Sequence, residues 1–462
     1  MNAVHGVEII FGIAIVYIIL TTVVGAWSAK YTKDTATFMS AKNLMGPLVV
    51  GILLMSEFIA TGSTLGTAET AFTKGISSSW NVISLGVAFI LYGFFMAPKF
   101  QAMGSYTISG ALAHRYGNGT RLVVSIIMIY ALVVVNVAAF TGGGVIFATL
   151  LGVSIQTGVF IIGIASILNV TLGGIRGVGI ANLVHMFFKF VSLVSISLFA
   201  WIMLGKNPEA AARIPHDLYS PTGVGVPTLI SWTLANIGAI FATQYVIQCI
   251  SSLTSQKEAR QASFIAGAVI IPAGLISAYI GIAARGLFPD IKPVMALPIF
   301  LTAMPPWLAG ISIMGIVAVT FVTILACQVG TTALVMSDFV LPFVKPDEKT
   351  KLLATRIISI VVGLVPIPFA LFVPGLLKTI FFARALRTTI AVVAVFMFYL
   401  PHIGSSRSAT LGLIGSVVGT SVWFALDNPL GIDNVYIAIL IPTFVMCVDK
   451  LYSRRKFAEV VK

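Results

Sequence analysis

Residues 45–80 read MGPLVVGILLMSEFIATGSTLGTAETAFTKGISSSW, and the rest of the chain is organised around this stretch. It is apolar enough to lie in a bilayer, yet it holds two carboxylates, Glu57 and Glu69, and a dense set of hydroxyls and glycines from Ser56 to Thr67. Ionisable and hydroxyl side chains inside a membrane cost free energy, so they persist where they face protein or a water-filled cavity. Glycine-rich interruptions are tolerated where the backbone lines such a cavity. The stretch therefore predicts a binding helix with a break in it, not a plain lipid anchor.

Working outward, 58% of the 462 residues are hydrophobic and only 9% are charged, whereas soluble domains average about 25% charged. The chain is expected to be an all-α polytopic membrane protein. Apolar runs of about 20 residues, the length that crosses some 30 Å of hydrocarbon, can be placed about 13 times. Cys249, Cys327 and Cys447 lie far apart inside apolar segments, which speaks against a disulfide framework or a metal site. No polar gap is long enough to fold as a separate soluble domain.

The net charge of +13 raises nucleic acid as a partner, but the distribution of the charge argues against it. With the N-terminus outside and the C-terminus cytoplasmic, most Lys and Arg fall in cytoplasmic segments, as the positive-inside rule requires. The basic excess is thus an orientation signal for a protein of the plasma membrane. Its expected partners are a small solute and membrane lipids, with the chain acting as a monomer. Four regions follow: residues 1–44, a first membrane helix and linker; 45–205, a first five-helix repeat; 227–401, a second; and 402–462, two peripheral helices and a basic tail. An odd number of spans per repeat inverts the second against the first, a common plan for transporters whose site lies at broken helices near the midplane.

Several stretches resemble the sodium:solute symporters, in particular the proline/sodium branch. Gly46-Pro47, Ser56 to Gly66 and Gly75 to Trp80 are similar to that family's first core helix and loop. Phe38 to Leu44 resembles its linker, Tyr106-Thr107-Ile108 with Arg115-Tyr116-Gly117 its second loop, and Gly173-Gly174-Ile175-Arg176 its "G-G-L-R" turn. Ala326-Cys327-Gln328 to Asp338 resembles its sodium-binding helix and exit. The resemblance implies a leucine-transporter-like core and Na⁺ as coupling ion. By position, the ion would be held by the carbonyls of Ser56, Ile59 and Thr320 and the hydroxyl of Thr323. Neutral oxygens suit a hard cation that must also leave. The family often has a second hydroxyl beside Thr323, where this chain has Ile324. Thr320 and Thr323 would otherwise each bond the carbonyl one turn back, as buried helix threonines commonly do.

For the solute, Phe58 and Ala60 stand where the proline carrier has an acidic residue and a serine, so proline itself is not expected. Thr61, Trp232, Gln244, Tyr245, Gln248 and Asn136 are the candidate contacts, since uncharged amides and hydroxyls suit a small polar solute; interhelical glue is the competing role. Glu57 is a candidate proton or cation site, a partner for Lys189, or a structural carboxylate. Arg384 and Arg387 share one helix face three residues apart. They are expected either to snorkel to the outer headgroups or to line an outer vestibule that attracts anions.

The function expected is Na⁺-coupled symport of a small organic solute, first a small carboxylate or amino acid, by alternating access. A sugar or polyol carrier, a proton-coupled carrier and a membrane sensor working with a partner are the alternatives. An enzyme is not expected: Gly-x-Ser-x-Gly, His-Glu-x-x-His and paired aspartates are missing from the sequence, and its five histidines are scattered.

Overall fold

In hydrocarbon no water satisfies a backbone donor or acceptor, so long apolar runs must close their hydrogen bonds within one segment, as helices. The computed structural model describes residues 7–29, 46–344, 347–372 and 375–460, with the side chains of residues 7, 11, 18, 22, 24–29, 150–151, 168–181, 348 and 452–460 outside that description. Among the described residues there is no strand. The main helices are α1 (Val7–Ala29), α2 (Pro47–Phe58), α3 (Leu65–Lys74), α4 (Trp80–Phe95), α5 (Ile108–Leu151), α6 (Ile155–Lys206) and α7 (Val226–Ala242). After these come α8 (Gln244–Ser251), α9 (Gln256–Leu287), α10 (Pro306–Val335), α11 (Glu348–Leu364), α12 (Leu376–Tyr399), α13 (Ser406–Ala425) and α14 (Asn434–Val460). Nine helices among the described residues are long and apolar enough to cross a membrane, ten if the bent pair α7 and α8 is one span. That is fewer than the 13 expected, in part because the break after Phe58 leaves α2 at only 12 residues. The linker motif Phe38 to Leu44 and the side chains of Gly173 to Arg176 lie outside the described residues.

The break between α2 and α3 follows from its sequence. Ile59 leaves helical geometry at ψ 74°, and the side chains that follow take up the freed backbone groups. The Ala60 amide donates to Ser63 Oγ at 2.8 Å, Ser63 Oγ also reaches the Phe58 carbonyl, and Thr64 Oγ1 donates to the Ala60 carbonyl at 2.8 Å. Short hydroxyl side chains compete with helical hydrogen bonds in this way, and they let an irregular turn survive at membrane depth. A second break lies at Thr243, where extended backbone separates α7 from α8 and the axis bends by 47°.

Two helices form the centre of the protein. The most apolar part of α12 is 89% buried and that of α10 is 83% buried. Helices in lipid associate through close packing at small residues, since apolar surface gains little from leaving lipid. Two glycines show the closeness required: a Cβ on Gly315 would lie 2.1 Å from the Phe188 carbonyl oxygen, and one on Gly238 would lie 2.1 Å from Thr388 Oγ1. These contacts join α10 to α6 and α7 to α12, which sets both pairs of helices around the two breaks.

Candidate functional site

The C-terminal end of α2 exposes carbonyls that its own helix no longer uses. Unwound carbonyls and the negative end of a half-helix dipole favour a cation, and the carbonyls of Ser56 and Ile59 are the ones that the family resemblance implies for sodium. In the structure both meet Lys189 of α6. Its Nζ donates to the Ser56 carbonyl at 2.6 Å and to the Ile59 carbonyl at 2.9 Å, with Ser56 Oγ at 3.4 Å. Lys189 is fully buried. The pairing with Lys189, one of the alternatives for Glu57, is not formed: among the described residues no carboxylate lies within ion-pair distance of Lys189. Thr323 Oγ1 donates to the Val319 carbonyl at 3.0 Å and Thr320 Oγ1 reaches the Ile316 carbonyl at 3.5 Å, the intrahelical bonds left open as the alternative.

On the other side of the breaks lie Arg384 and Arg387, and their position corrects the expectation of an outer location. Helix α12 begins at Leu376, so both residues fall well inside it, and each is only 4% exposed. Arg384 donates to Asn81 Oδ1 at 2.6 Å and lies 4.7 Å from the Phe381 ring centroid. Asn81 passes the contact on, donating to the Gly62 carbonyl at 3.0 Å and to Thr67 Oγ1 at 2.9 Å, both next to the first break. Arg387 donates directly to Thr243 Oγ1, the residue of the second break, at 2.8 Å, and its Nε is buried without a partner. The anchors expected at headgroup level are here Lys378 instead, exposed at the start of α12 and paired with Asp427.

The charges do not balance. The buried charged side chains among the described residues are Glu57, Lys189, Asp338, Arg384 and Arg387. Asp338 is matched by Arg121 at 2.7 Å. This leaves three fully buried cations against one fully buried carboxylate; with Glu69 of α3, half-buried with its Oε2 buried and unpartnered, the formal surplus around the breaks is one positive charge. Side chains three apart on a helix are neighbours, with Cβ atoms roughly 6 Å apart, and like charges on such neighbours repel. Such an arrangement is eased by negative charge between the guanidinium groups.

The remaining candidates divide by what their polar atoms do. Gln244 is not free for solute: its Oε1 accepts from the Ile108 amide at 3.0 Å and its Nε2 donates to the Tyr106 carbonyl at 2.9 Å. Tyr245 accepts from Asn182 at 3.2 Å, and Phe58 packs edge-on to Phe89. By contrast Thr61 Oγ1, Asn136 Oδ1, Glu57 Oε2 and both amide atoms of Gln248 are buried without a partner. Ala60 lies at the break and is half-buried. Asn81 and Thr243 escaped the sequence reading. A lone Asn following Trp80 in an otherwise apolar helix was the available signal for the first, and nothing marked the second.

Two further features close the region. Trp232 stacks on Phe381 with ring centroids 5.0 Å apart and planes 10° from parallel. The stack forms part of the wall of a cavity of about 250 Å³ whose lining includes Lys378 and Asp433. Phe381 thus faces this cavity and touches Arg384 at the same time. At the end of α10, Asp338 accepts from Ser109 at 2.5 Å and also from Ser125, which ties that helix end to α5.

A sequence profile of the sodium:solute symporter family matches residues 38–415. The high-affinity proline transporter PutP of Bacillus subtilis is 24% identical over 254 residues, which are 52% of this chain and 53% of that protein, so the chain spans about half the length of this relative. The sodium/pantothenate symporter of Escherichia coli is 24% identical over 363 residues, 73% of each chain. In fold, the chain is similar to a Na⁺-coupled sialic acid symporter solved in a substrate-bound outward-open state. The TM-score is 0.78 at 16% identity, covering 96% of this chain and 98% of that one. The fold is leucine-transporter-like.

Proposed function

Since the chain belongs to the sodium:solute symporter family, a family of secondary transporters whose coupling ion is sodium, we propose that its solute is a small carboxylate, bound between the two helix breaks and moved by alternating access. The observation that carries this reading is the pair Arg384 and Arg387, buried on one face of α12 and surplus to the local carboxylates. A guanidinium presents donors in a planar fork that matches a carboxylate in two parallel hydrogen bonds. Unpaired buried charge is expensive, so a site that keeps two such groups suits a ligand that neutralises them. Thr61, Gln248 and Asn136 offer neutral donors and acceptors for the rest of the solute.

An amino acid fits less well than a carboxylate without an ammonium group. Phe58 and Ala60 give such a group no acidic partner, and only Glu57 of the buried carboxylates lies near the breaks. Neutral sugars would leave both guanidinium groups without compensation. The residue set also supports carrier over sensor, because a solute and its counter-charges would lie between elements that must move. Uptake into proteoliposomes, competed by a panel of monocarboxylates, dicarboxylates, amino acids and sugars, tests the proposal. Competition by carboxylates in preference to sugars supports it. Solute binding with no uptake would favour the sensor.

A further inference from the structure

We propose that Lys189 carries a tethered cation: its ammonium group sits in the place of a coupling sodium ion and competes with sodium for the carbonyls of Ser56 and Ile59. The inference rests on the family's sodium coupling and on those two carbonyls as an ion seat. It does not depend on which solute is carried.

Three observations meet at this point. First, Nζ takes up the two carbonyls that the family resemblance implies for the ion, at 2.6 and 2.9 Å, and bonds between an ammonium and oxygen are short and strong when charge assists them. Second, the seat is the negative end of α2, which ends at Phe58, so a lysine ammonium is stabilised there by the same dipole that would draw sodium. Third, Lys189 is held in place from behind. Ser192, three residues on, donates to the Ser312 carbonyl at 2.6 Å, and Gly315 packs directly on the Phe188 carbonyl. With α6 fixed against α10, the lysine stem extends to the break.

Sodium and this ammonium carry the same charge and use the same oxygens, so they exclude one another. Ile324 beside Thr323 adds no side-chain oxygen to compensate. The native chain should therefore respond to sodium weakly at this seat, and removal of the ammonium should open it.

The test uses purified full-length protein in detergent, without solute, titrated with NaCl or KCl while thermal unfolding is followed. A ligand that binds only the folded state raises its stability in a saturable way. For the native chain the two salts should give nearly coincident curves. Lys189→Met, which keeps the apolar stem and removes the charge, should acquire a saturable rise specific to sodium that the native chain lacks. Two results would overturn the proposal. One is a sodium-specific rise in the native chain that Lys189→Met weakens or leaves unchanged. The other is a monodisperse Lys189→Met protein with no sodium-specific response. Should that variant fail to fold, Lys189→Gln carries the same comparison and the same outcomes. Because no solute is present, failure here is distinct from failure of the carboxylate proposal, which the competition panel reads.

Discussion

Arg387 donates to Thr243 Oγ1 at 2.8 Å, so a buried guanidinium is fixed to the one extended residue that separates α7 from α8. Arg384, one turn earlier, reaches the other break through Asn81. The two breaks are thus joined to a single face of α12. Solute charge placed between the arginines would be felt at both, and this offers a physical route from solute binding to a change in helix geometry.

The first prediction concerns those arginines. Hydrogen bonds to charged groups contribute about 1.5–3 kcal/mol, so Arg384→Gln and Arg387→Gln should each raise the KM for a carboxylate by about 10- to 100-fold. Exposed charges are screened by salt and buried ones much less. The KM ratio of mutant to native should therefore stay flat from low to high ionic strength. A ratio that collapses in salt would return the arginines to an exposed vestibule.

A second prediction concerns the stack of Trp232 on Phe381. Phe381→Ala removes both the stack and the ring that covers Arg384, and should open the 250 Å³ cavity toward the arginines. Modification of Arg384 by a dicarbonyl reagent specific for arginine, read by peptide mass spectrometry, should become faster in Phe381→Ala. Equal rates in the two proteins would show that the stack does not seal this path.

The pair Arg121 and Asp338 allows a third, asymmetric prediction. The Asp338 side chain is fully buried, whereas that of Arg121 is 30% exposed. Loss of one partner of a buried pair leaves the other as an uncompensated charge, at a cost of about 3–5 kcal/mol when it cannot reach water. Arg121→Gln strands Asp338 and should destabilise more than Asp338→Asn, which leaves Arg121 near solvent. Thermal unfolding of the two variants in detergent checks the order; the reverse order contradicts it.

Thr323 gives a fourth. Its hydroxyl already bonds the Val319 carbonyl, and Lys189 takes the ion seat on the facing side. Thr323→Ala should shift the half-saturating sodium concentration less than Lys189→Met does, with Thr331→Ala as a control. A larger effect of Thr323→Ala would make its hydroxyl the stronger determinant of the seat.

The helical class and the first break were legible in the sequence because both rest on local composition: apolar runs for the one, and Ser63, Thr64 and the nearby glycines for the other. The carbonyls of Ser56 and Ile59 were legible by resemblance. What meets them was not, since it depends on which face of α6, about 130 residues later, turns toward the break. Lys189 is conspicuous as a charge within an apolar run, yet nothing local distinguishes the two carbonyls from Glu57 as its partner. Arg384 and Arg387 are conspicuous in the sequence for the same reason, but their depth is not legible there, because spacing shows that two residues share a face but not whether that face meets lipid, water or protein. Gln244 shows the same limit. An amide in a membrane helix serves backbone as readily as solute, and only contacts tell the two apart.

The central claim is that a small carboxylate is the solute and that the buried arginines hold it. It is tested most directly by uptake of a labelled carboxylate, chosen by competition, into proteoliposomes down its own imposed inward gradient, comparing the native chain with Arg387→Gln. The account predicts saturable uptake by the native protein that is competed by other small carboxylates but not by sugars, and that is largely lost in Arg387→Gln. Uptake competed only by sugars, or unchanged in Arg387→Gln, would contradict it.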